Sequence, residues 1–211
     1  MKHVDYTLYL CTDRGLMTSR TVEQSVEQAV CGGASVIQLR EKHLSSRDFY
    51  ETALKVREVT ARYHVPFLVN DRADIALAVG ADGVHVGQSD LPCTAVRRMM
   101  GEDALIGVSV STVEEALAAQ ADGADYLGVG AMFATGTKED AAVVSRDTLR
   151  AIRAAVDLPI VIIGGVNAAT IPQFAGLGID GAAVVSAIVA QPDIEAAARN
   201  LRQLCDKTFS K

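Results

Sequence analysis

Apolar positions along the 211-residue chain fall into short runs separated by longer amphipathic stretches. Runs with strand character lie near 6–12, 36–41, 67–71, 83–86, 105–110, 126–130, 159–164 and 181–186. Between them the apolar period lengthens to that of a helix. Phe49, Ala53, Val56 and Tyr63 make one stripe, and Ile194, Ala197, Ala198, Leu201 and Cys205 another. Thr21 with Gln24 and Ser111 with Glu114 have the spacing of capping boxes and mark helix starts. Strands alternating with helices predict a parallel sheet, open or closed. A short repeat bears on that choice. Gly33-Ala34-Ser35, Gly80-Ala81-Asp82, Gly123-Ala124-Asp125 and Gly178-Ile179-Asp180 precede every second strand. A glycine that ends a helix before a tight turn explains each copy locally, and their regular recurrence points to quasi-symmetric closure. The pattern predicts an α/β chain folded as one (β/α)8 TIM barrel domain over residues 1–211, with a doubly wound open sheet as the alternative.

Composition narrows the function more than the fold. With 49% hydrophobic and 22% charged residues the chain reads as an ordinary folded domain. A net charge of −6 argues against nucleic acid or an anionic membrane as partner, so any anion site must be a local concentration of positive charge. No run is long enough to span a membrane, and the apolar stretch after Lys2 is broken by Asp5 and Asp13, unlike a signal peptide. Cys11, Cys31, Cys93 and Cys205 are widely spaced without a CxxC pair, which suits reduced thiols in a cytoplasm. His3, His43, His64 and His85 show no metal-ligand spacing.

Candidate chemistry clusters where strands end. In Gln38-Leu39-Arg40-Glu41-Lys42, the period of two puts Gln38, Arg40 and Lys42 on the face of Val36, and Ile37 and Leu39 on the other. Two inward cations with no obvious neighbouring acid need a counter-charge, which a phosphorylated ligand supplies. Pairing of Arg40 with an acid, and solvation of Lys42, are the plainer alternatives. Asn70 or Asp71 could instead cap a helix starting near Ala73, and Asp90 one at Pro92. His85 faces opposite to Val84 and Val86 and could be a hydrogen-bonded core histidine. Ser109 shares a face with Gly107, and small Gly128 and Gly130 on the next strand leave room for a pocket. The 132–140 connection carries Thr135, Gly136, Thr137 and Lys138, which suit an anion and a closing loop. Gly164-Gly165-Val166-Asn167 and Ser186-Ala187-Ile188 follow strands seven and eight, where barrels often bind phosphate. Asp71 and Asp90 would repel such a ligand, by about 4 kcal/mol for one contact at ~4 Å. Mg2+ between them and a diphosphate turns that repulsion into attraction.

These residues closely resemble the thiamine phosphate synthase family. The matching segments are Gln38–Lys42, Asn70-Asp71-Arg72, Ala81–Asp90, Gly107-Val108-Ser109, Tyr126–Gly130, Thr135–Lys138, Ile163-Gly164-Gly165 and Val184–Ile188, in order along nearly the whole chain. Ala131 departs from the proline common there. The resemblance implies a (β/α)8 barrel that joins hydroxymethylpyrimidine diphosphate to hydroxyethylthiazole phosphate, releasing pyrophosphate. It assigns Gln38, Leu39, Arg40, Glu41, Lys42, Asn70, Ser109 and Lys138 to the pyrimidine diphosphate, with inward-facing His85 expected beside them. Arg40, Lys42, Ser109 and Lys138 would stabilise the leaving group. Asp71 and Asp90 would hold Mg2+, and Thr135, Gly136, Thr137, Gly165, Val185 and Ser186 the thiazole phosphate. The partners are then two phosphorylated small molecules, with neither nucleic acid nor membrane, and a homo-oligomer is left open. Three rivals share the pattern: a thiazole tautomerase-like barrel, an aldolase using Lys138 as a Schiff-base amine, and a non-catalytic phosphometabolite-binding barrel.

Overall fold

The computed structural model describes residues 4–134 and 143–210. Eight parallel strands pair in chain order: β1 (Leu8–Cys11), β2 (Val36–Leu39), β3 (Phe67–Asn70), β4 (Gly83–Val86), β5 (Leu105–Val110), β6 (Tyr126–Val129), β7 (Ile160–Ile162) and β8 (Gly181–Val184). β8 pairs back onto β1, with Tyr9 opposite Ala183, so the sheet is a closed barrel and the open-sheet alternative is excluded. The helices are α1 (Val22–Cys31), α2 (Ser46–Arg62), α3 (Ala73–Val79), α4 (Cys93–Met100), α5 (Val113–Ala121), α6 (Arg146–Ala155), α7 (Ser186–Val189) and α8 (Ile194–Phe209). A 3-10 turn (Ile171–Phe174) stands between β7 and β8. Among the described residues no helix is long and apolar enough to cross a membrane.

The period of two along each strand divides the core into two layers. Ile37, Leu39, Val69, Val84, Val86 and Leu127 point outward and pack under the helices. Tyr9, Val36, Leu68, Leu105, Tyr126 and Val161 point inward and fill the lower barrel. The helix stripes follow the same logic, with corrections at their ends. Phe49, Ala53 and Val56 are buried, whereas Tyr63 caps the C-terminus of α2 half-exposed and donates to Glu27 Oε1. In α8 Ala197 is only partly covered while Ile194, Ala198, Leu201 and Cys205 are buried. Thr21 does cap α1, accepting from Gln24 N. The other cap is displaced by one residue: Thr112 accepts from Glu115 N, and the Glu115 carboxylate reaches back to Ser111 N at 2.6 Å.

The glycine repeat proves to be half of a clamp at the N-terminal ends of the strands. The third residue of each copy bonds twice to the start of the preceding strand. Ser35, Asp82, Asp125 and Asp180 donate their backbone N–H to the carbonyls of Leu8, Phe67, Ile106 and Ile160 at 2.7–2.9 Å. Their side-chain oxygens accept from the N–H groups of the same four residues at 3.2, 2.9, 2.7 and 2.9 Å. An arginine from every second helix completes each copy. Arg57 of α2 meets Asp82 at 3.3 Å, Arg97 of α4 meets Asp125 at 2.6 Å, and Arg153 of α6 meets Asp180 at 3.6 Å. Where Ser35 replaces the aspartate, Arg202 of α8 reaches the Gly33 carbonyl at 3.3 Å and Asp5 at 2.9 Å. The φ of +104°, +62°, +87° and +70° at Gly33, Gly80, Gly123 and Gly178 is what lets the chain turn into this clamp.

Candidate active site

At the opposite, C-terminal ends of the strands lies a cavity of about 360 Å³. Gln38, Arg40 and Lys42 all line it, Gln38 by the alternation of β2 and the two cations from the segment just past its end at Leu39. Their counter-charges are protein acids, which corrects the expectation that none stands nearby. Arg40 Nη1 is 3.3 Å from Asp13 Oδ2, and Lys42 Nζ is 2.5 Å from Asp71 Oδ2. The side chains of Leu39 and Glu41 do not line the cavity. Leu39 is fully buried under the helices, and Glu41 is bound by Arg14 at 2.8 Å.

Asn70, Asp71 and Asp90 line the neighbouring wall, and none caps a helix. Asp71 has φ +62°, a left-handed conformation that aspartate tolerates better than most residues, and its N–H donates to the His85 carbonyl. Asp90 Oδ2 accepts from Gly87 N at 2.7 Å. Burial pushes the Asp90 carboxyl above its ordinary range; the Gly87 N–H opposes this and the adjacent Asp71 carboxylate adds to it. Among the described residues no three His, Cys, Asp or Glu side chains gather as a metal cage. A carboxylate whose charge burial and a neighbouring carboxylate disfavour does suit Mg2+, which takes one or two carboxylates and draws its other oxygens from phosphate and water. Asp71 and Asp90 therefore fit the ion.

The strand seven and eight side is built from backbone. Gly164 and Gly165 have φ of +92° and +65°, and a Cβ on Gly165 would stand 2.7 Å from Phe133 Cβ. The Gly165 carbonyl accepts from Asn167 Nδ2 at 3.1 Å, which turns the loop back on itself. Gly165, Val185 and Ser186, the first residue of α7, line the cavity facing β2–β4. Thr135, Gly136, Thr137 and Lys138 lie outside the described residues.

His85 and Ser109 line the floor together, with His85 Nε2 2.8 Å from Ser109 Oγ. Gly107 adds no room to the pocket: the Tyr126 ring occupies its space, at 2.1 Å from where a Cβ would be. Gly128 and Gly130 do line the cavity. Sequence reasoning missed Asp13, Cys11 and Tyr9. Their one signal is that Tyr9 and Cys11 alternate inward on β1, which places Cys11 in the cavity wall. Burial pushes the Cys11 thiol up to about 12, so it stays protonated.

Comparison with known proteins adds the family. The sequence pattern of the family described as thiamine monophosphate synthase matches residues 8–188. The chain is 54% identical over 204 residues to a thiamine-phosphate synthase of Clostridium botulinum, covering 97% of this chain and 96% of the relative. It is likewise 54% identical over 209 residues to one of Chloroflexus aurantiacus, covering 99% and 96%. The solved thiamine phosphate pyrophosphorylase of Pyrococcus furiosus superposes with a TM-score of 0.90 at 39% identity, covering 98% of both chains. With a closed barrel, and one cavity that has paired acids and cations on one wall and a glycine loop on the other, this chain belongs to the thiamine monophosphate synthase family.

Proposed function

We propose that this transferase joins hydroxymethylpyrimidine diphosphate to hydroxyethylthiazole phosphate, giving thiamine phosphate and pyrophosphate. The observation that carries the reading is one cavity with two unlike walls, each suited to an anion. Arg40, Lys42, Asp71 and Asp90 line one wall, and Gly165, Val185 and Ser186 the other. Two phosphorylated substrates would thus meet head to head, each anchored by its own phosphate.

The chemistry calls for no protein nucleophile. Breaking the methylene C–O bond leaves a carbocation that the electron-rich aminopyrimidine delocalises, and the bonding pair departs with the diphosphate. Arg40 and Lys42, exchanging Asp13 and Asp71 for the diphosphate, would stabilise that growing charge together with Ser109 and Lys138. Gln38, Asn70 and the 38–42 main chain would orient the pyrimidine, with His85 beneath it. Asp71 and Asp90 would hold Mg2+, which supplies further positive charge against the leaving group. Thr135, Gly136 and Thr137 would join Gly165, Val185 and Ser186 around the thiazole phosphate, aligning the ring nitrogen to attack the cation. The four free cysteines support a cytoplasmic setting, and the closed barrel supports a single catalytic domain.

Mixing the two substrates with the protein, with and without Mg2+, tests the reading. Thiamine phosphate and pyrophosphate should appear in equal amounts and only with the ion. Saturable binding without pyrophosphate release would instead favour a phosphometabolite-binding barrel. A borohydride-trapped adduct on a lysine would favour an aldolase.

A further inference from the structure

Beneath the cavity a chain of hydrogen bonds crosses the barrel interior from β1 to β5. Cys11 Sγ donates to Gln38 Oε1 (3.4 Å), and Gln38 Nε2 donates to Tyr9 Oη (2.7 Å). Tyr9 Oη lies 2.8 Å from Tyr126 Oη, which lies 2.8 Å from His85 Nδ1. His85 Nε2 completes the chain at 2.8 Å from Ser109 Oγ. Gln38, Tyr9, Tyr126 and His85 are each nine-tenths or more buried. The missing side chains of Gly107 and Gly128 admit the two rings: a Cβ there would stand 2.1 Å from Tyr126 Cζ and 2.9 Å from His85 Cε1.

Each hydroxyl has one hydrogen and a neutral imidazole one N–H, so the chain has two proton arrangements, each the reverse of the other. Its ends are not equivalent. The Cys11 S–H occupies the Gln38 carbonyl oxygen, which turns the amide NH2 toward Tyr9. Tyr9, accepting there, donates to Tyr126, and Tyr126 donates to His85 Nδ1. The imidazole proton then sits on Nε2 and is given to Ser109 Oγ, which leaves the Ser109 hydrogen free to enter the cavity. Burial raises the pKa of both tyrosines, so the hydroxyl donors persist at working pH.

We propose that Tyr9 and Tyr126 are positioning residues that fix His85 as the Nε2–H tautomer and so make Ser109 a hydrogen-bond donor to substrate. The proposal rests on reading this wall as the diphosphate site. Ionised diphosphate oxygens only accept; a serine whose hydrogen was engaged by His85 would present lone pairs to them.

Imidazole 15N NMR of the ligand-free protein at alkaline pH reads the tautomer directly, with the His85 signals identified by their loss in His85→Asn. The expected result is an unprotonated Nδ1 and a protonated Nε2. Gln38→Glu puts an acceptor-only carboxylate opposite Tyr9 and should reverse the tautomer. A native Nδ1–H imidazole, or no reversal in Gln38→Glu, would overturn the proposal. In the mixed-substrate assay Tyr126→Phe should lower kcat roughly tenfold, as the loss of one hydrogen bond to a charged group would. KM for the thiazole phosphate should stay within about twofold. Combined with Ser109→Ala, the Tyr126→Phe change should add no further loss, whereas multiplying losses would overturn the proposal. Tyr9→Phe serves the same cycle if Tyr126→Phe does not fold. The NMR arm uses no substrate. Absence of thiamine phosphate beside a native Nε2–H signal would sink the reaction and leave the tautomer assignment standing.

Discussion

The Asp90 carboxyl holds its proton more tightly in the folded chain than in the unfolded one, because burial and then the Asp71 carboxylate disfavour its charge. The sign of the consequence follows from linkage. Below the ordinary value of 3.8 both states are protonated and Asp90 costs nothing; as pH rises from there through the raised folded value, stability is lost. At neutral pH, Asp90→Asn should therefore raise the Tm of the Mg2+-free protein and remove the Tm gain expected for the native chain with Mg2+ and pyrophosphate. That gain should itself shrink as pH falls toward 4, since the ion must displace the proton. Melting curves with and without Mg2+ at several pH values check all three; an Asp90→Asn protein no more stable than native would contradict the account. Single residues were legible where strand alternation decides direction, as for Gln38 on β2; Arg40 and Lys42 follow the end of that strand at Leu39 and still line the cavity. Asp13 was not, because its link to Arg40 spans two strand ends 27 residues apart.

Among the elements, the clamps at the strand starts separate stability from chemistry. Asp125 accepts from Ile106 N at 2.7 Å and from Arg97 at 2.6 Å, with both side chains largely covered. Asp125→Ala would strand the Ile106 N–H and leave the Arg97 guanidinium with backbone carbonyls but no carboxylate, costing roughly 2 kcal/mol, or ~4–8 °C in Tm. Its kcat at a temperature where it stays folded should equal the native value. A normal Tm, or a slower reaction in the folded variant, would refute this division. The repeat announced these positions in the sequence as turns, but three of its partner arginines sit on helices 25–28 residues away, the fourth 169 residues away, and they carried no local signal. Strand ends were readable to within a few residues. The cap at Thr112 was not, since Ser111 and Thr112 both offer a hydroxyl and only the extended backbone of Thr112 (φ −130°, ψ 165°) decides between them.

For the molecule as a whole, closure of β8 onto β1 makes the wall a ring without an edge. Amides of Leu10 and Cys11 should then exchange with solvent only on global unfolding, as slowly as those of Leu127 and Gly128. Faster exchange confined to β1 would show that the ring opens at that seam. The ring itself was foreseeable from eight alternating units and a repeat of period two strands. What lies inside it was less so, because Tyr9 and Tyr126 meet across 117 residues and Gly107 is filled from the next strand over. The acid–arginine pins grip one rim of that ring, and the reaction is assigned to the other, a barrel's depth away. Heat tolerance and catalytic speed therefore sit on separate dials. A lineage or an engineer could turn the first, pin by pin, without retuning the second.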